Sequence, residues 1–501
     1  MARDLTLSID VGTGSVRAAL VDPAGRILAL SAREHDQMVP AFGWAEQRAE
    51  DWWTGVAAAV RGVLSQVDGG RDRIAAVAAC GQMHGTVLVD GAGRPTRAEV
   101  PLWNDKRTAG LVADFERTFA DGAYLADSGN PPTPAWPGFK LQWLRDNDPA
   151  AYAAAETVLM PKDFINLRLT GARAMDSGDA SCSFLMNPRT RAWSDSMIGR
   201  LGLDRDLLPP IREPMEILGA VTAEAARQTD LAEGTPVLVG GADYPVALLG
   251  SGVCRPGLAS DVTGTSCILT LVADAPLLDP EICNVATPEG HWGAFVLLET
   301  GGDAMRWARR AFHERALGYE AIVARAAEAP AGADGLFFVP YLTGERLGRH
   351  RNARAQFFGL GAGHGLAHLH RSVMEGVAFA AARHLAIMEA AAGTKLERVV
   401  ASGGGAKTSL WLKIKASLYG IPVVVPEEAE CGVVGCAVMA GVATGRFADA
   451  DEAVAALVRH KDEVPPDPAW QARYRRMQPI FDRLYEAGRD FYDDLDRLAE
   501  A

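Results

Sequence analysis

The sequence lacks any apolar stretch long enough to cross a membrane. Two long stretches lack Asp, Glu, Lys and Arg, 74–89 and 431–445, and both fall short of the roughly 18 apolar residues that a membrane span needs. Asp4 and Asp10 interrupt the N-terminal region, so no secretory signal is expected there. We therefore expect a cytoplasmic protein without a membrane partner. We also predict that 431–445, rich in Gly and Ala, is a tightly packed buried helix.

Cysteine and lysine are scarce in this chain. Seven cysteines among 501 residues, with no Cys-x2-Cys pair, predict reduced thiols and argue against a disulfide framework or a zinc site. Only eight of the 50 basic residues are lysines, and no basic run occurs. Because acidic residues number 63 and the net charge is -13, nucleic acid is not expected as a partner.

The composition that is present belongs to a large globular protein. Hydrophobic residues make up 48% of the chain and charged residues 23%, and the length exceeds that of one ordinary domain core. Runs typical of strands alternate with helical runs, which predicts an α/β architecture. The strands are predicted at 5–10, 16–22, 74–79, 237–239 and 399–401, and the helices at 52–66, at a run ending near 418, and at 475–500.

A short motif occurs twice, half a chain length apart. Residues 10–15 are Asp-Val-Gly-Thr-Gly-Ser and residues 261–266 are Asp-Val-Thr-Gly-Thr-Ser, so the two copies start 251 residues apart. A repeat at this distance predicts two similar α/β domains, 1–254 and 255–501. The turn residues at 255–257 mark the expected boundary. Chance similarity between two short turns is the alternative.

Three glycine-rich turns could bind phosphate. The turns at 12–15, 264–266 and 403–405 can offer backbone N–H groups to phosphate oxygens, although ordinary turns have the same composition. No Walker A loop, dinucleotide fingerprint, Gly-x-Ser-x-Gly elbow or His-Glu-x-x-His motif occurs. Their absence argues against P-loop NTPases, Rossmann dehydrogenases, α/β-hydrolases and zincins.

Two carboxylates are the chemical candidates. Asp10 and Asp243 each stand where a predicted strand runs into a glycine-containing turn, and ligands bind at such strand ends in open α/β sheets. A carboxylate there can hold Mg²⁺ or accept a proton from a hydroxyl. An Asx turn or a helix cap would place Asp at the same positions, and this alternative stays open.

The chain resembles the FGGY family of carbohydrate kinases over nearly its whole length. Residues 10–15 are similar to the family's N-terminal phosphate turn, and 355–375 match its C-terminal signature. The stretch 137–147 resembles the N-terminal signature, although Ala135 departs from its usual first position. Within the family the chain is most similar to the xylulokinase branch, through the segments at 81–85, 103–107, 161–164 and 339–346.

The resemblance implies the fold and the reaction. The fold would be the actin/hexokinase/Hsp70 type, in which two facing ribonuclease H-like α/β domains enclose an active-site cleft. The sugar and the catalytic base would lie in 1–254, and ATP and a terminal helix in 255–501. The reaction would be ATP-dependent phosphorylation of a ketose at a terminal hydroxyl, with D-xylulose as the expected sugar and Mg²⁺ as the metal. A homodimer is common in the family.

The resemblance also implies roles for individual residues. Asp243 would be the catalytic base, and Asp10 and Asp243 would position Mg²⁺. The residues implied to bind the sugar are Met83, His84, Trp103, Asn104, Asp105, Asp243 and Tyr244. The residues implied to bind ATP are Gly12, Thr13, Gly14, Ser15, Arg17, Gly264, Thr265, Ser266, Gly301, Gly302, Gly404, Gly405 and Ala406.

Two observations from the residues qualify these roles. Composition alone would assign Met83 and Trp103 to the core. Tyr244 stands where many xylulokinases have Asn or Gln after the catalytic Asp, and this departure bears on which sugar is bound. The alternatives are a kinase for another ketose or polyol, such as D-ribulose, L-xylulose, erythritol or glycerol, and a non-catalytic nucleotide-dependent protein of the actin or Hsp70 type.

Overall fold

The computed structural model describes residues 3–120, 122–345 and 350–499; Arg346, in the segment at 339–346, lies outside the described residues. The chain divides into two compact units. Unit 1 consists of Met1–Cys254, Leu278–Gly293 and Glu430–Arg459. Unit 2 consists of Arg255–Leu277, Ala294–Ala429 and His460–Ala501.

Strands occur in both units. In chain order they are β1 Leu5–Val11, β2 Ser15–Val21, β3 Ile27–Glu34, β4 Glu46–Arg48, β5 Ile74–Gly81, β6 Val87–Val89, β7 Glu99–Pro101, β8 Thr157–Leu159, β9 Met175–Asp176, β10 Ile211–Arg212, β11 Ile217–Ala220, β12 Pro236–Leu238, β13 Gly241–Ala242, β14 Leu258–Thr263, β15 Cys267–Ala273, β16 Cys283–Ala286, β17 Trp292–Leu298, β18 Phe337–Val339, β19 Gln356–Phe358, β20 Arg398–Ser402, β21 Val423–Pro426 and β22 His460–Val464.

Helices connect and cover these strands. In chain order they are α1 Ala49–Leu64, α2 Gly70–Arg73, α3 Ala109–Thr118, α4 Leu125–Ser128, α5 Pro137–Asn147, α6 Pro149–Ala154, α7 Pro161–Thr170, α8 Ser177–Ser181, α9 Asp195–Leu201, α10 Ala223–Thr229, α11 Asp243–Gly250, α12 Asp303–Ala311, α13 Tyr319–Glu328, α14 Leu366–Ala392, α15 Ser409–Tyr419, α16 Cys431–Ala443, α17 Ala450–Leu457, α18 Pro468–Ala487 and α19 Arg489–Ala499.

The main sheet of unit 1 has the strand order β11-β12-β5-β1-β2-β3, with β13 also paired to β5. Strands β1 and β2 form an antiparallel hairpin, whereas β1, β5 and β12 run parallel. Leu5, Leu7, Ile9 and Val11 of β1 are fully buried, and so is Ser8 on its other face. A strand buried on both faces is expected when helices cover a largely parallel sheet.

Helices cover both faces of this sheet. On one face, Trp52, Val56 and Val60 of α1 join the core formed by alternate residues of β1 and β2. On the other face, α16 packs through Val433 and its apolar neighbours in a second core. The predicted buried helix at 431–445 is therefore confirmed, and it contributes to the core of unit 1.

The main sheet of unit 2 follows the same plan. Its strand order includes β17-β15-β14-β20-β21-β22. Strands β14 and β15 form an antiparallel hairpin, β14, β20 and β21 run parallel, and β22 is antiparallel at the edge. In each unit, the repeated motif lies in a β-hairpin. The first strand of that hairpin also pairs with a parallel strand. The prediction of two similar α/β domains is confirmed.

The predicted elements agree with the structure except at the C-terminal helix. The sequence predicts one helix at 475–500, whereas the chain forms α18 and α19, which meet at Gly488. Helix α18 starts early because the Asp467 carboxylate accepts from the N–H groups of Ala469 and Trp470, and Pro468 suits the first helical position. No helix in the described ranges combines the length and apolar character needed to cross a membrane.

The two units differ from the continuous halves 1–254 and 255–501. A change of unit does occur after Cys254, but Leu278–Gly293 and Glu430–Arg459 pack with unit 1. In the second segment, Val433 accepts a hydrogen bond from Ser8 Oγ at 2.9 Å. In the first, Asn284 and Asn130 exchange hydrogen bonds of 2.7 and 3.0 Å. These long-range contacts leave no signal in composition or spacing.

Candidate active site

Asp10 and Asp243 lie at the carboxyl ends of neighbouring strands in unit 1. In the sheet register, Asp10 of β1 is opposite Cys80 of β5, and Cys80 is opposite Gly241 of β13. Asp243 follows two residues later as the first residue of α11. Because the three strands are parallel, their ends meet at one edge of the sheet. Both carboxylates therefore lie at the same edge of the sheet, as expected from their positions at strand ends.

Burial sets the protonation of both groups. Burial raises the pKa of Asp10, and Arg17, whose Nη1 lies 3.2 Å from Asp10 Oδ2, opposes that shift. Burial also raises the pKa of Asp243 to about 7, and the neighbouring Asp10 carboxylate adds to the shift. A carboxyl group with a pKa near neutrality is a far better proton acceptor than an ordinary aspartate.

The same pair suits a divalent cation. Within the described ranges, no group of three or more His, Cys, Asp or Glu side chains could hold a metal ion. Mg²⁺ does not need such a group, because it commonly binds one or two carboxylates and completes its shell with water and substrate phosphates. Asp10 and Asp243 are near enough that the Asp10 charge adds to the effect of burial in raising the pKa of Asp243, so the two carboxylates together offer the oxygen donors that such a cation takes. The residues present therefore fit Mg²⁺.

The turn at 12–15 has all of its carbonyls bonded but not all of its N–H groups. All four of its carbonyls accept from the protein: Gly12 from His35 Nε2, Thr13 from Gln47 Nε2, Gly14 from the His35 N–H, and Ser15 from the Gly12 N–H. In the part of the chain that the structure describes, no hydrogen bond has the Thr13 or Gly14 N–H as its donor. A turn of this kind suits an anion, because its carbonyls are withdrawn and its donors are available.

Trp103 and Met83 are not core residues. Trp103 is 41% exposed, and its indole Nε1 donates to Thr13 Oγ1 at 3.0 Å. Met83 is half-buried. The structure thus contradicts the assignment of these residues to the core from composition. It also joins Trp103, implied to bind sugar, to the turn implied to bind phosphate.

His84 is held in an uncommon backbone conformation. Its φ of 66° is in the left-handed region, and its carbonyl accepts from the buried Lys140 ammonium at 2.7 Å. Burial, followed by the Lys140 charge, lowers the pKa of His84 well below its usual value, so the imidazole is neutral. Among the described residues, neither His84 Nδ1 nor Asn104 Oδ1 has a hydrogen-bond partner. Asn104 Oδ1 is an acceptor that a hydroxyl group could satisfy, and so is His84 Nδ1 in the tautomer that carries its proton on Nε2.

Asp105 has a different environment from the one implied for a sugar ligand. Its side chain is fully buried. One oxygen accepts from the Ala45 N–H and Arg107 Nη2, both at 2.7 Å, and the other from the N–H and Nε of Arg107, both at 2.9 Å. A carboxylate has about four acceptor sites, and these bonds fill them. Asp105 therefore holds the loop that carries Trp103 and Asn104, and it has no free acceptor for a sugar.

Arg17 and Tyr244 flank the two carboxylates. Arg17 contacts Asp10 and, at 3.6 Å, Glu430, so its guanidinium is shared between two acidic groups. Tyr244 is half-buried in the first turn of α11. Its backbone N–H bonds the Asp243 carboxylate and opposes the rise in its pKa. Tyr244 is thus fixed beside the candidate base.

The other residues implied to bind ATP lie together in unit 2. Gly301 and Gly302 donate backbone hydrogen bonds to Thr265 and Gly264 at 3.0 and 2.8 Å. A Cβ on Gly302 would lie 2.5 Å from the Gly264 carbonyl, so only glycine permits this approach. Gly403 to Ala406 form a third turn, and a Cβ on Gly405 would lie 2.8 Å from Thr263. Gly12 to Arg17, by contrast, belong to unit 1.

One buried charge cluster behind the site was not predicted. Lys162 lies among Asp163, Asp176 and Asp179, all fully buried. Burial raises the pKa of Asp163 to about 6 and that of Asp179 well above its usual value. Asp176 caps α8 and lies 3.8 Å from where a Cβ on Gly241 would be. Lys162 and Asp163 are adjacent in the sequence, but Asp176 and Asp179 come from other elements, so the sequence alone does not reveal the cluster.

Comparisons with known proteins agree with this arrangement. The family model described as "FGGY family of carbohydrate kinases, N-terminal domain" matches residues 5–250, and the model of the C-terminal domain matches 259–444. The chain is 30% identical to the xylulose kinase of Escherichia coli, covering 96% of this chain and 98% of the relative. It is 31% identical to the autoinducer-2 kinase of Yersinia enterocolitica, covering 96% and 94%.

A solved structure extends the likeness to three dimensions. The crystal structure of xylulose kinase from Rhodospirillum rubrum is 29% identical and superposes with a TM-score of 0.91, covering 98% of this chain and 100% of that chain. Both family domains match in order over most of the chain, and the fold is the actin-like fold expected for the family. The chain therefore belongs to the FGGY family of carbohydrate kinases, which transfer a phosphoryl group from ATP to a sugar.

Proposed function

We propose that this kinase phosphorylates D-xylulose at its terminal hydroxyl and produces D-xylulose 5-phosphate. The observation that carries the proposal is Asp243, a carboxyl group with a pKa raised to about 7 in the same unit as Trp103, His84 and Asn104. The xylulose kinases among the relatives support the choice of sugar. The proposal includes a cytoplasmic homodimer, which light scattering on the purified protein tests.

Asp243 acts as the general base in the proposed mechanism. Its carboxylate accepts the proton of the sugar hydroxyl while that oxygen forms its bond to the γ-phosphorus. The bond from the γ-phosphorus to the bridging oxygen breaks, and ADP leaves with the electron pair. When bound with ATP, Mg²⁺ would supply positive charge against the phosphates. Asp10 and Asp243 are the residues that would hold it, and Asp10 also keeps Arg17 in place.

Backbone donors and side-chain acceptors that have no partner among the described residues support the two substrate sites. The Thr13 and Gly14 N–H groups would bind phosphate oxygens, and the glycine turns of unit 2 would bind the rest of ATP. His84 Nδ1 and Asn104 Oδ1 would accept from sugar hydroxyls, and the exposed face of Trp103 would contact the carbon chain. Such use would satisfy buried acceptors that otherwise carry a desolvation cost.

A second candidate substrate is a different ketose, a polyol or a related small carbonyl compound. Tyr244 favours this alternative, because it brings a phenol beside Asp243 where many xylulokinases have an amide. The autoinducer-2 kinase among the relatives makes autoinducer-2 a member of this candidate class, together with D-ribulose, L-xylulose, erythritol and glycerol.

The test is an ADP-release screen with purified protein, ATP and Mg²⁺ across these compounds. We expect D-xylulose to give the highest kcat/KM, at least about tenfold above the other compounds, which is the discrimination that one or two hydrogen bonds supply. A clear preference for another compound would replace D-xylulose and make Tyr244 the first residue to vary. Absence of turnover with all of them, in protein that binds ATP, would contradict the proposed function.

A further inference from the structure

Gln47 lies at the centre of a buried hydrogen-bond network in unit 1. It is 1% exposed, Gln82 is 1% exposed and Trp52 is fully buried. Gln47 Oε1 accepts from Trp52 Nε1 at 3.0 Å and from Gln82 Nε2 at 2.9 Å. Gln47 Nε2 donates to the Thr13 carbonyl at 2.6 Å. One side chain thus joins three separate segments of the unit.

The orientation of the Gln47 amide is determined by its neighbours. An indole N–H can only donate and a carbonyl can only accept, so the oxygen must face Trp52 and the nitrogen must face Thr13. Gln82 donates to Gln47 through its amide nitrogen. Its amide oxygen, Oε1, is buried and has no partner among the described residues.

The segments that meet at Gln47 belong to the two substrate sites. Gln82 precedes Met83 and His84 in the loop at 81–85, and its backbone N–H donates to Val11 at 2.8 Å. Thr13 belongs to the phosphate turn at 12–15. Trp103 makes a second connection, because its indole N–H donates to Thr13 Oγ1. Thr13 is therefore linked in two ways to the segments implied to bind sugar. Its carbonyl accepts from Gln47, which in turn bonds Gln82, and its hydroxyl accepts from Trp103.

We propose that Gln47 is a positioning residue that ties the loop at 81–85 to the phosphate turn, so that phosphoryl transfer to the sugar is favoured over transfer to water. The inference rests on the proposed kinase function and deepens it. When Gln47 holds the Thr13 carbonyl, it also fixes the planar peptide unit that carries the Gly14 N–H. A phosphate turn out of register with the bound sugar leaves water as the competing acceptor.

Two substitutions test the link. Gln47→Glu keeps an oxygen for Trp52 and Gln82 but replaces the donor to Thr13, whereas Gln47→Met removes both functions at similar volume. Gln228→Glu is the matched control, because Gln228 Oε1 accepts from Trp53 Nε1 at 2.6 Å and takes no part in the Thr13 network. The measurements are ADP and sugar phosphate formed in the same reaction, with kcat and KM for the sugar.

Wild-type enzyme is expected to release about one ADP per sugar phosphate, as tight coupling requires. In both Gln47 variants we expect the ADP to sugar phosphate ratio to rise at least about threefold, and kcat to fall about tenfold or more with a smaller change in KM. The Gln228 variant should stay within about twofold of wild type. Folded Gln47 variants with an unchanged ratio would overturn the inference.

Two further measurements distinguish a failure of the inference from a failure of the variants to fold and from a failure of the proposed function. If the Gln47 variants do not fold, Gln82→Met breaks the link from the sugar side, and an unchanged ratio in that variant overturns the inference. Hydrogen exchange of the peptide spanning 11–16 needs no substrate. We expect it to be at least about threefold faster in Gln47→Met than in wild type, and equal exchange contradicts the link whichever sugar is used. Wild-type enzyme that phosphorylates no sugar would contradict the proposed function instead.

Discussion

At the residue scale, the proposed mechanism depends on one carboxyl group. Asp243 is half-protonated near pH 7, because burial and the Asp10 charge raise its pKa to about 7. Only the deprotonated form can accept a proton from the sugar. We therefore expect kcat/KM to rise with pH up to about 7 and to level off above it. The measurement is kcat/KM with the preferred sugar between about pH 5.5 and 8.5.

The variant Asp243→Asn tests the same assignment. We expect kcat to fall by about 10²–10⁴ and the rising limb of the pH profile to disappear, while the variant still binds ATP. Activity within about tenfold of wild type, or an unchanged pH dependence in the residual rate, would exclude Asp243 as the base.

Residue-level prediction from the sequence succeeded where a general rule applied. The positions of Asp10 and Asp243 at neighbouring strand ends agree with the structure, since the search followed the rule that ligands bind at strand ends in α/β sheets; their roles stay predictions. Asp105 and Gln47 could not be assigned in this way. The four bonds that fill the Asp105 carboxylate come partly from Ala45, sixty positions away, and Gln47 acquires its importance only through contacts with Thr13 and Gln82. Pairing across such distances depends on the folded chain.

At the element scale, the turn at 264–266 in unit 2 lies next to a buried ion pair between β14 and α15. Lys415 lies 2.7 Å from Asp261 Oδ2 and donates to Thr263 Oγ1 at 2.7 Å, and Tyr419 also donates to Asp261 at 2.7 Å. Burial disfavours the Asp261 carboxylate, but Lys415 and the hydroxyl donors hold its pKa below the usual value. The turn at 264–266 begins immediately after Thr263.

Removal of the ammonium should therefore destabilise unit 2. We expect Lys415→Met to lower the free energy of unfolding by about 3–5 kcal/mol, since it leaves a buried charge unpaired, and a second change, Asp261→Asn, to recover most of the loss. Lys413→Met is the control on the same helix, where the exposed pair with Asp467 contributes at most about 1 kcal/mol. Urea denaturation measures all three. Equal midpoints for Lys415→Met and wild type would contradict the role of the pair.

Element prediction depended on local signals. The five predicted strands are rich in apolar residues, and their positions agree with β1, β2, β5, β12 and β20 to within two residues. The start of α18 was missed because its signal is a cap, Asp467 with Pro468, rather than an apolar pattern. The break at Gly488 interrupts a run whose charged amphipathic character continues on both sides, so periodicity alone suggested one helix.

At the scale of the whole molecule, the repeated motif predicted the sheet plan of both units but not their composition. The two hairpins and their parallel neighbours occupy the same order, yet Asp10 faces a second carboxylate whereas Asp261 is neutralised by Lys415. The repeat could not indicate that Glu430–Arg459 completes unit 1, since that assignment depends on which helix faces fit together.

The contact between α11 and α16 makes this assignment testable. A Cβ on Gly435 would lie 2.0 Å from the Val246 carbonyl, so Gly435→Ala must move α16 away from the helix that begins with Asp243. We expect a loss of about 1–3 kcal/mol in the free energy of unfolding and a larger fall in kcat than rise in KM. Gly199→Ala, in α9 with open space around it, should gain about 0.5–1 kcal/mol. A Gly435 variant with wild-type melting and kcat would show that unit 1 does not need this contact, and the dependence of Asp243 on a segment 190 positions away would be wrong.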